Sequence, residues 1–483
     1  MKKNIFFIVT LSATLLSCES FLDLAPENQI NTQSFYRNQN DFQAALYGAY
    51  ASLQGIHDIS FLYMSEMTTD NAEIQLSNPT AQELEFDQIN FTPTNGYAGS
   101  CWSSFYTLIA RTNTILGRIE NASFDETAKK SIQGQCLFLR AYAYFNLVRL
   151  FGDVTLVTIE FTSPNQIVAY DKSRKPVADV YAQIITDLTQ AESLLPQHVP
   201  DNRGMASVGA VKTLLAKVYL TRKDYLNAAT QLEEVMALKN ANNSTAYTLS
   251  DNYGELFSEG NENKTESIFE IEYLSGNLGE GNSYASNFYP LVQGMAVFKG
   301  NLLAGGRCVP TQSLMDAYEP GDKRKDVSVG DQLPLTNGTF VTSTYCRKFI
   351  DYSITILTDG GVNFTVYRLA DIYLMYAEVL NELDRAGAET YLNHVRERAG
   401  LVPVAKTDKD DFREIIARER RVELAYEGHR WYDLVRTGKL QSVMKEHFES
   451  QGLNFSVENH ELLLPVPQSE RDKDPNLSQN PGY

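Results

Sequence analysis

Apolar residues that recur every three or four positions over long stretches constrain this chain more than any other feature, because only helices packed on other helices bury such a pattern. Val177, Val180, Tyr181, Ile184, Leu188 and Ala191 share one helical face, and Pro196 terminates that run. Ser207 is placed to cap the next helix, which carries Val208, Val211, Leu215, Val218 and Tyr219. After the turn Arg222-Lys223-Asp224, a third helix presents Tyr225, Ala228, Leu232 and Val235. Residues 132–150 read as another long helix, and 367–381 pair with 388–399 in the same manner.

Ala216, Tyr219, Ala228, Leu232 and Val235 keep the relative spacing of a tetratricopeptide hairpin, in which small residues let two helices approach closely. The fold class that follows is mostly α, a tetratricopeptide-like helical-repeat scaffold with long loop-rich insertions. At 483 residues the chain is long enough for several domains or for one large solenoid. The pattern favours one body over residues 18–483, with a helical part over about 30–240 and another over about 366–483. Between them, residues 241–365 are rich in Gly, Asn, Ser, Thr and Tyr, with short extended pieces such as 267–273. Residues 57–100 have a similar character. Loops of this length in a compact protein are usually functional.

Asp plus Glu number 60 against 42 Lys plus Arg, a formal charge of -18. That excess repels phosphate backbones, and no run of Lys or Arg offsets it, so nucleic acid is excluded as a partner. Lys2 and Lys3 precede the apolar stretch 5–16, which is too short to span a bilayer and reads as a signal peptide over residues 1–17. It ends in Leu15-Leu16-Ser17-Cys18, a small residue before cysteine as in a bacterial lipobox. Cys18 is therefore the expected lipidated N-terminus, and the competing reading is a secreted protein that happens to carry cysteine there.

Of the other cysteines, Cys101 and Cys136 lie in helical apolar surroundings and read as small core residues. Cys308 and Cys346 fall in loop-rich sequence, where an exported protein can bridge them. No C-x-x-C spacing suggests a metal, and none is expected. H-E-x-x-H, G-x-S-x-G and P-loop motifs are absent, and the six histidines are scattered. No cofactor is expected. The charged segment 419–433 invites a catalytic reading through Glu423, Glu427, His429 and Asp433. Its apolar residues Ile415, Ile416, Val422, Ala425 and Tyr426 nevertheless share a helical face, so an ion-pair ladder involving Arg420 and Glu423 is the stronger reading. Asp316, Glu319, Asp322 and Asp326 lack the pattern of a calcium loop and read as a solvated turn. Trp102, Tyr106, Ile109 and Asn113 are helically spaced, and Trp102 and Trp431 are expected in the core.

Several of these stretches resemble a known family. Phe21-Leu22-Asp23-Leu24-Ala25-Pro26, Arg140-Ala141-Tyr142-Ala143-Tyr144-Phe145 and Phe151-Gly152-Asp153 are similar to the first half of SusD/RagB lipoproteins. So are Tyr376-Ala377-Glu378, Asn393-His394-Val395-Arg396-Glu397-Arg398-Ala399-Gly400, Glu419-Arg420-Arg421-Val422-Glu423-Leu424, Glu427-Gly428-His429-Arg430-Trp431-Tyr432-Asp433-Leu434 and Gln479-Asn480-Pro481-Gly482-Tyr483 in the second. The resemblance implies a SusD-like α-α superhelix at the outer membrane, lipid-anchored and exposed on the cell surface. It also implies a partner, a SusC-like TonB-dependent transporter, and a glycan ligand with no catalytic activity. A peptide cargo, and a scaffold with no ligand of its own, remain the alternatives.

Helical repeats turn their ordered faces to one another, so a ligand is expected on the connections, within 57–100 and 274–307. The candidates in the first are Asn71, Phe86 and Tyr97. In the second they are Tyr284, Phe288, Tyr289 and Arg307: aromatic faces for a pyranose and polar groups to orient its hydroxyls. The competing reading pins each aromatic to its own loop as a packing residue.

Overall fold

The computed structural model describes residues 35–75, 78–200, 204–299 and 302–483. Cys18, residues 1–17 and the Phe21 to Pro26 motif lie outside the described residues. Helix α1 (Gln39–Ile56) starts at Asn38, whose side chain accepts from the amides of Asn40 and Asp41 while the Asp41 carboxylate accepts from the amide of Asn38. Phe42, Leu46, Ala49, Leu53 and Ile56 form its buried stripe. Helix α2 (Gly96–Ile119) is capped by Asn95, and α3 (Glu126–Phe151) by Asp125. Almost every residue of α3 from Gly134 onward is buried, because α1, α2 and α4 (Val177–Leu194) all pack on it. Trp102 sits on α2 with its ring 4.9 Å from Phe151, and both tryptophans are buried.

Helices α5 (Val208–Thr221) and α6 (Tyr225–Ala237) form the expected hairpin, and its turn places Lys223 at φ 60°. Ala216 and Ala228 are fully buried between the two. Ser207 occupies the cap position of α5, but its hydroxyl lies against the Tyr247 hydroxyl instead of a helix amide. Each helix packs on the next from α1 to α6. Helix α6 then packs directly on α7 (Leu369–Glu382), which carries α8 (Ala388–Arg398) and α9 (Lys409–Glu423). The solenoid therefore runs on across the insertion as if the insertion were absent. Short helices α10 (Arg430–Thr437) and α11 (Leu440–Ser450) follow.

Strands are few and short. Among the described residues β1 (Ala72–Glu73) pairs with β5 (Val309–Pro310), β2 (Val154–Thr155) with β3 (Arg174–Lys175), β4 (Ser267–Ile271) with β8 (Phe364–Arg368), and β6 (Val329–Pro334) with β7 (Phe340–Cys346), all antiparallel. The β4–β8 pair closes the base of the insertion and is buried at every position. Tyr367, expected at the start of a helix, belongs to β8: pairing with Phe269 holds it extended, and α7 begins only at Leu369.

Residues 57–100 also depart from the loop expectation. A short helix (Ile59–Leu62), a π-helical turn (Tyr63–Met67) and a further helix (Ala81–Asp87) occupy them, and residues 61–72 are all buried. Their polarity is matched by distant partners. Asp70 accepts from Arg430 at 2.8 Å and Arg421 at 2.9 Å, and the Thr311 hydroxyl donates to the Asp70 carbonyl at 2.6 Å.

The C-terminal charges are interior. Glu423 on α9 meets Arg324, Arg368 and Arg398, and Glu427 meets Arg368 and Lys348, with every one of these side chains buried. Arg420 pairs instead with Asp371 and Asp433, so Arg420 and Glu423 are buried and paired as expected but not with each other. Asp322 and Glu319 are engaged by Arg324 and Arg396, which takes that acidic segment out of a freely solvated turn. Cys101, Cys136, Cys308 and Cys346 are buried free thiols, so Cys308 and Cys346 are not bridged.

Candidate functional site

Five of the seven expected ligand residues are interior. Tyr284 and Phe288 lie one turn apart on a short helix (Tyr284–Phe288) with their rings stacked at 5.5 Å, and the Tyr284 hydroxyl donates to the His57 carbonyl at 2.8 Å. Phe288 abuts Tyr426, and Phe86 packs on Tyr63 and Phe91. Tyr289 is enclosed by Phe298 and Tyr345. Asn71 donates to Glu66 at 3.2 Å and accepts from Arg421 at 2.9 Å. Since Asn71, Phe86, Tyr284, Phe288 and Tyr289 are all 0% exposed, none offers a face to a ligand in this conformation. Tyr284 and Phe288 join the insertion to His57 and Tyr426, Asn71 ties its segment to Arg421, and Phe86 and Tyr289 pack within their own segments, which is the competing packing role.

Tyr97 and Arg307 remain at the surface, and the fold brings them together. Arg307 Nε donates to Glu83 at 2.6 Å, and the Tyr97 ring lies 4.9 Å from Tyr63 and 6.3 Å from Phe86. Glu83 is the buried third member that the sequence reading missed, although Thr80-x-x-Glu83 is a capping-box pattern and does cap the helix Ala81–Asp87. Burial alone would raise the Glu83 carboxyl; the Thr80 amide and Arg307 outweigh it and hold it below the usual range.

Beyond Tyr289 the same aromatic packing reaches the surface. The Tyr289 hydroxyl donates to the Tyr352 hydroxyl at 3.3 Å, and the Tyr352 ring stacks at 6.3 Å and 26° on Phe298. Tyr352 is 42% exposed. It forms part of the wall of an open cleft of about 430 Å³, floored by Phe257 and Ile350, backed by the buried Asp351 in the wall, and rimmed by Ser258, Glu259, Asp326, Arg347 and Ser353. The Asp351 carboxylate accepts from the amides of Ser353 at 2.8 Å and Gly361 at 3.2 Å, which fixes the turn that carries Tyr352. Phe257 ends a 3-10 turn (Tyr253–Phe257) started by Asn252, whose side chain accepts from the Gly254 amide. A rigid aromatic face beside convergent hydroxyls and charges suits a pyranose, whose C-H face is apolar and whose edge is polar. Tyr352 lies outside 57–100 and 274–307, and the alternation Ile350, Tyr352, Ile354, Ile356 reads as a strand-like apolar face rather than a polar turn.

The segment that invited a catalytic reading lies elsewhere. Glu423, Glu427 and Asp433 are committed to arginine or lysine partners, and burial lowers His429 to about 3, so the ring is neutral near pH 7.

Comparison with known proteins agrees along the whole chain. A family model described as SusD family matches residues 327–483, and one described as starch-binding associating with outer membrane matches residues 20–220. SusD-like protein P2 of Formosa agariphila is 29% identical over 524 residues, covering 100% of both chains. Among solved structures, a laminarin-binding SusD-like protein has a TM-score of 0.78 at 30% identity, covering 93% of this chain and 100% of that one. The surface glycan-binding protein A of Bacteroides fluxus has a TM-score of 0.80 at 25% identity, covering 92% and 100%. With the helical frame shared over this length and the buried arginine–glutamate motifs occupying its C-terminal half, the chain belongs to the SusD/RagB family.

Proposed function

We propose that this protein is a cell-surface lipoprotein that captures glycans at the Tyr352 cleft and delivers them to a SusC-like TonB-dependent transporter in the outer membrane. The single observation that carries the binding role is the exposed Tyr352 ring, held by Phe298 and Tyr289 over a cleft of about 430 Å³. Family membership and relatives described as binding starch or laminarin support a saccharide as the ligand. Tyr97 and Arg307 supply a second contact region on the loop-rich side.

In this reading the protein binds and does not cleave: the acids of the 419–433 segment serve the fold. Anchoring rests on Cys18, since no described helix is long and apolar enough to cross a membrane. Cys18→Ala is expected to fold normally and to incorporate no labelled fatty acid; label on that variant contradicts the anchor.

Binding is tested with Tyr352→Ala against laminarin and starch in affinity gels and calorimetry. Removing the stacking face is expected to weaken the bound polymer by about tenfold or more, as for other aromatic hot spots. Tyr47→Ala serves as the control, because Tyr47 is an exposed tyrosine on the solenoid helix α1. Parental affinity in Tyr352→Ala would remove the cleft from the binding surface.

A further inference from the structure

We infer that the Tyr352 cleft accepts uncharged glycans and rejects polymers bearing uronate or sulfate groups; this rests on the glycan-binding reading and names its substrate class. The argument is the charge around the ring. Glu259 and Asp326 stand exposed on the rim, Asp351 lies in the wall, and Glu262 is close enough to act on Glu259. Asp351 is buried with its oxygens on the Ser353 and Gly361 amides, so the carboxylates open to a ligand are Glu259, Asp326 and Glu262, and the cations beside them are Arg347 and Lys299. Arg347 lines the cleft beside Tyr352, and Lys299 is close enough to act on Glu259. Neither Glu259 nor Asp326 forms an ion pair among the described residues, in contrast to the matched charges of the interior.

The two classes of polymer meet this rim differently. Sugar hydroxyls donate, and a rim carboxylate accepts from them in charge-assisted bonds, so a neutral chain gains contacts from Glu259 and Asp326. A uronate or sulfate placed over Tyr352 meets the same two groups as like charges, with the chain's overall negative charge behind them. Partial desolvation first, and then the Asp351 and Glu262 carboxylates, hold Glu259 above the ordinary glutamate range.

The test runs the intact protein in native gels containing laminarin or starch as neutral probes, and alginate or a sulfated galactan as acidic ones, at low and at high salt. The expected result is retardation by at least one neutral polymer and by neither acidic one at low salt. Screening should then narrow the gap between the classes as salt rises. The double variant Glu259→Gln/Asp326→Asn, both on the exposed rim, is expected to raise the ratio of acidic to neutral affinity by about tenfold at low salt. Retardation of the parent by an acidic polymer that Tyr352→Ala abolishes would overturn the charge inference while leaving glycan binding intact. If no polymer of either class retards the parent, the glycan-binding reading itself falls, and this inference with it.

Discussion

Replacing Glu423 by alanine will lower the unfolding free energy by about 3–5 kcal/mol. Its oxygens are 0% exposed and serve Arg324, Arg368 and Arg398 together. Burial alone would raise its carboxyl, yet the three guanidiniums hold it well below the ordinary range. Removing it leaves those cations facing one another in the interior with Asp322, Glu266, Glu419 and Glu427 as the remaining anions. The comparison is Glu414→Ala, which breaks the Lys439–Glu414 pair whose side chains are 53% and 64% exposed. That loss should stay within about 0.5 kcal/mol. Urea denaturation of the two variants beside the parent decides it. A Glu423→Ala midpoint equal to that of Glu414→Ala would mean that the cluster tolerates an unmatched charge.

The second large effect is a dependence on pH that belongs to Glu66. It sits in the π-helical turn, fully buried, and accepts from the Gly428 amide at 2.9 Å and from Asn71 at 3.2 Å. Burial pushes its carboxyl from 4.5 up to about 7, more than those two bonds and Lys348 bring it down. A carboxyl raised by folding binds its proton more tightly in the native state. Its contribution is therefore complete below pH 4.5 and is lost as pH rises through 7, a difference of about 3 kcal/mol. Asp371, Asp433 and Glu423, held low by their arginine and lysine partners, work in the opposite sense: they stabilise above the ordinary carboxylate range, and that stability goes as pH falls. The neutral rings of the buried His57 and the half-buried His429, lowered to about 3, also favour the native state more as pH rises through 6.5. The readout is accordingly the difference between parent and Glu66→Gln. Relative to the parent, the variant should gain stability between pH 5 and pH 8. Parallel curves for the two proteins would assign the pH response to other groups.

Both predictions concern groups whose partners lie far off in the chain, and this explains what the sequence showed and what it hid. The stripe Val180, Ile184, Leu188 and Ala191 is buried as its period requires, because a helical period is a local property. The α5–α6 hairpin and the two core tryptophans follow from the same kind of signal. Residues 65–71 read as a loop because Ser, Glu, Thr, Asp and Asn are rarely interior, but Arg421, Arg430, Thr311 and Gly428 satisfy them from the other end of the chain. Spacing along α9 suggested Arg420 as a neighbour of Glu423, whereas the actual partners sit 25 to 99 residues away. At Tyr284 and Phe288 the cue was visible, since four residues separate two aromatics that stack on one helical face; the surrounding Gly, Asn and Ser outweighed it. Of the residues expected to meet a ligand, only two remain accessible, and the proposed Tyr352 cleft lies outside both expected segments. Tyr97 and Arg307 are those two, while Tyr352 depended on how the 350–361 turn docks on Phe298 and Tyr289.

Because α6 rests directly on α7, the two ends of the insertion are neighbours in a frame that closes without it, and swapping the intervening segment asks little of the solenoid in loop entropy. The segment behaves as a cassette, but a keyed one. Glu266, Arg324 and Lys348 travel with it, together with Arg368 of the closing strand β8, and each finds its counter-charge on α8, α9 or the residues just after α9. A transplanted cassette that brings new aromatics to the cleft but omits these four residues would strand Glu423 and Glu427 without most of their cations. Under the proposed glycan-binding role, specificity is free to change along the rim while the lock at the base stays constant.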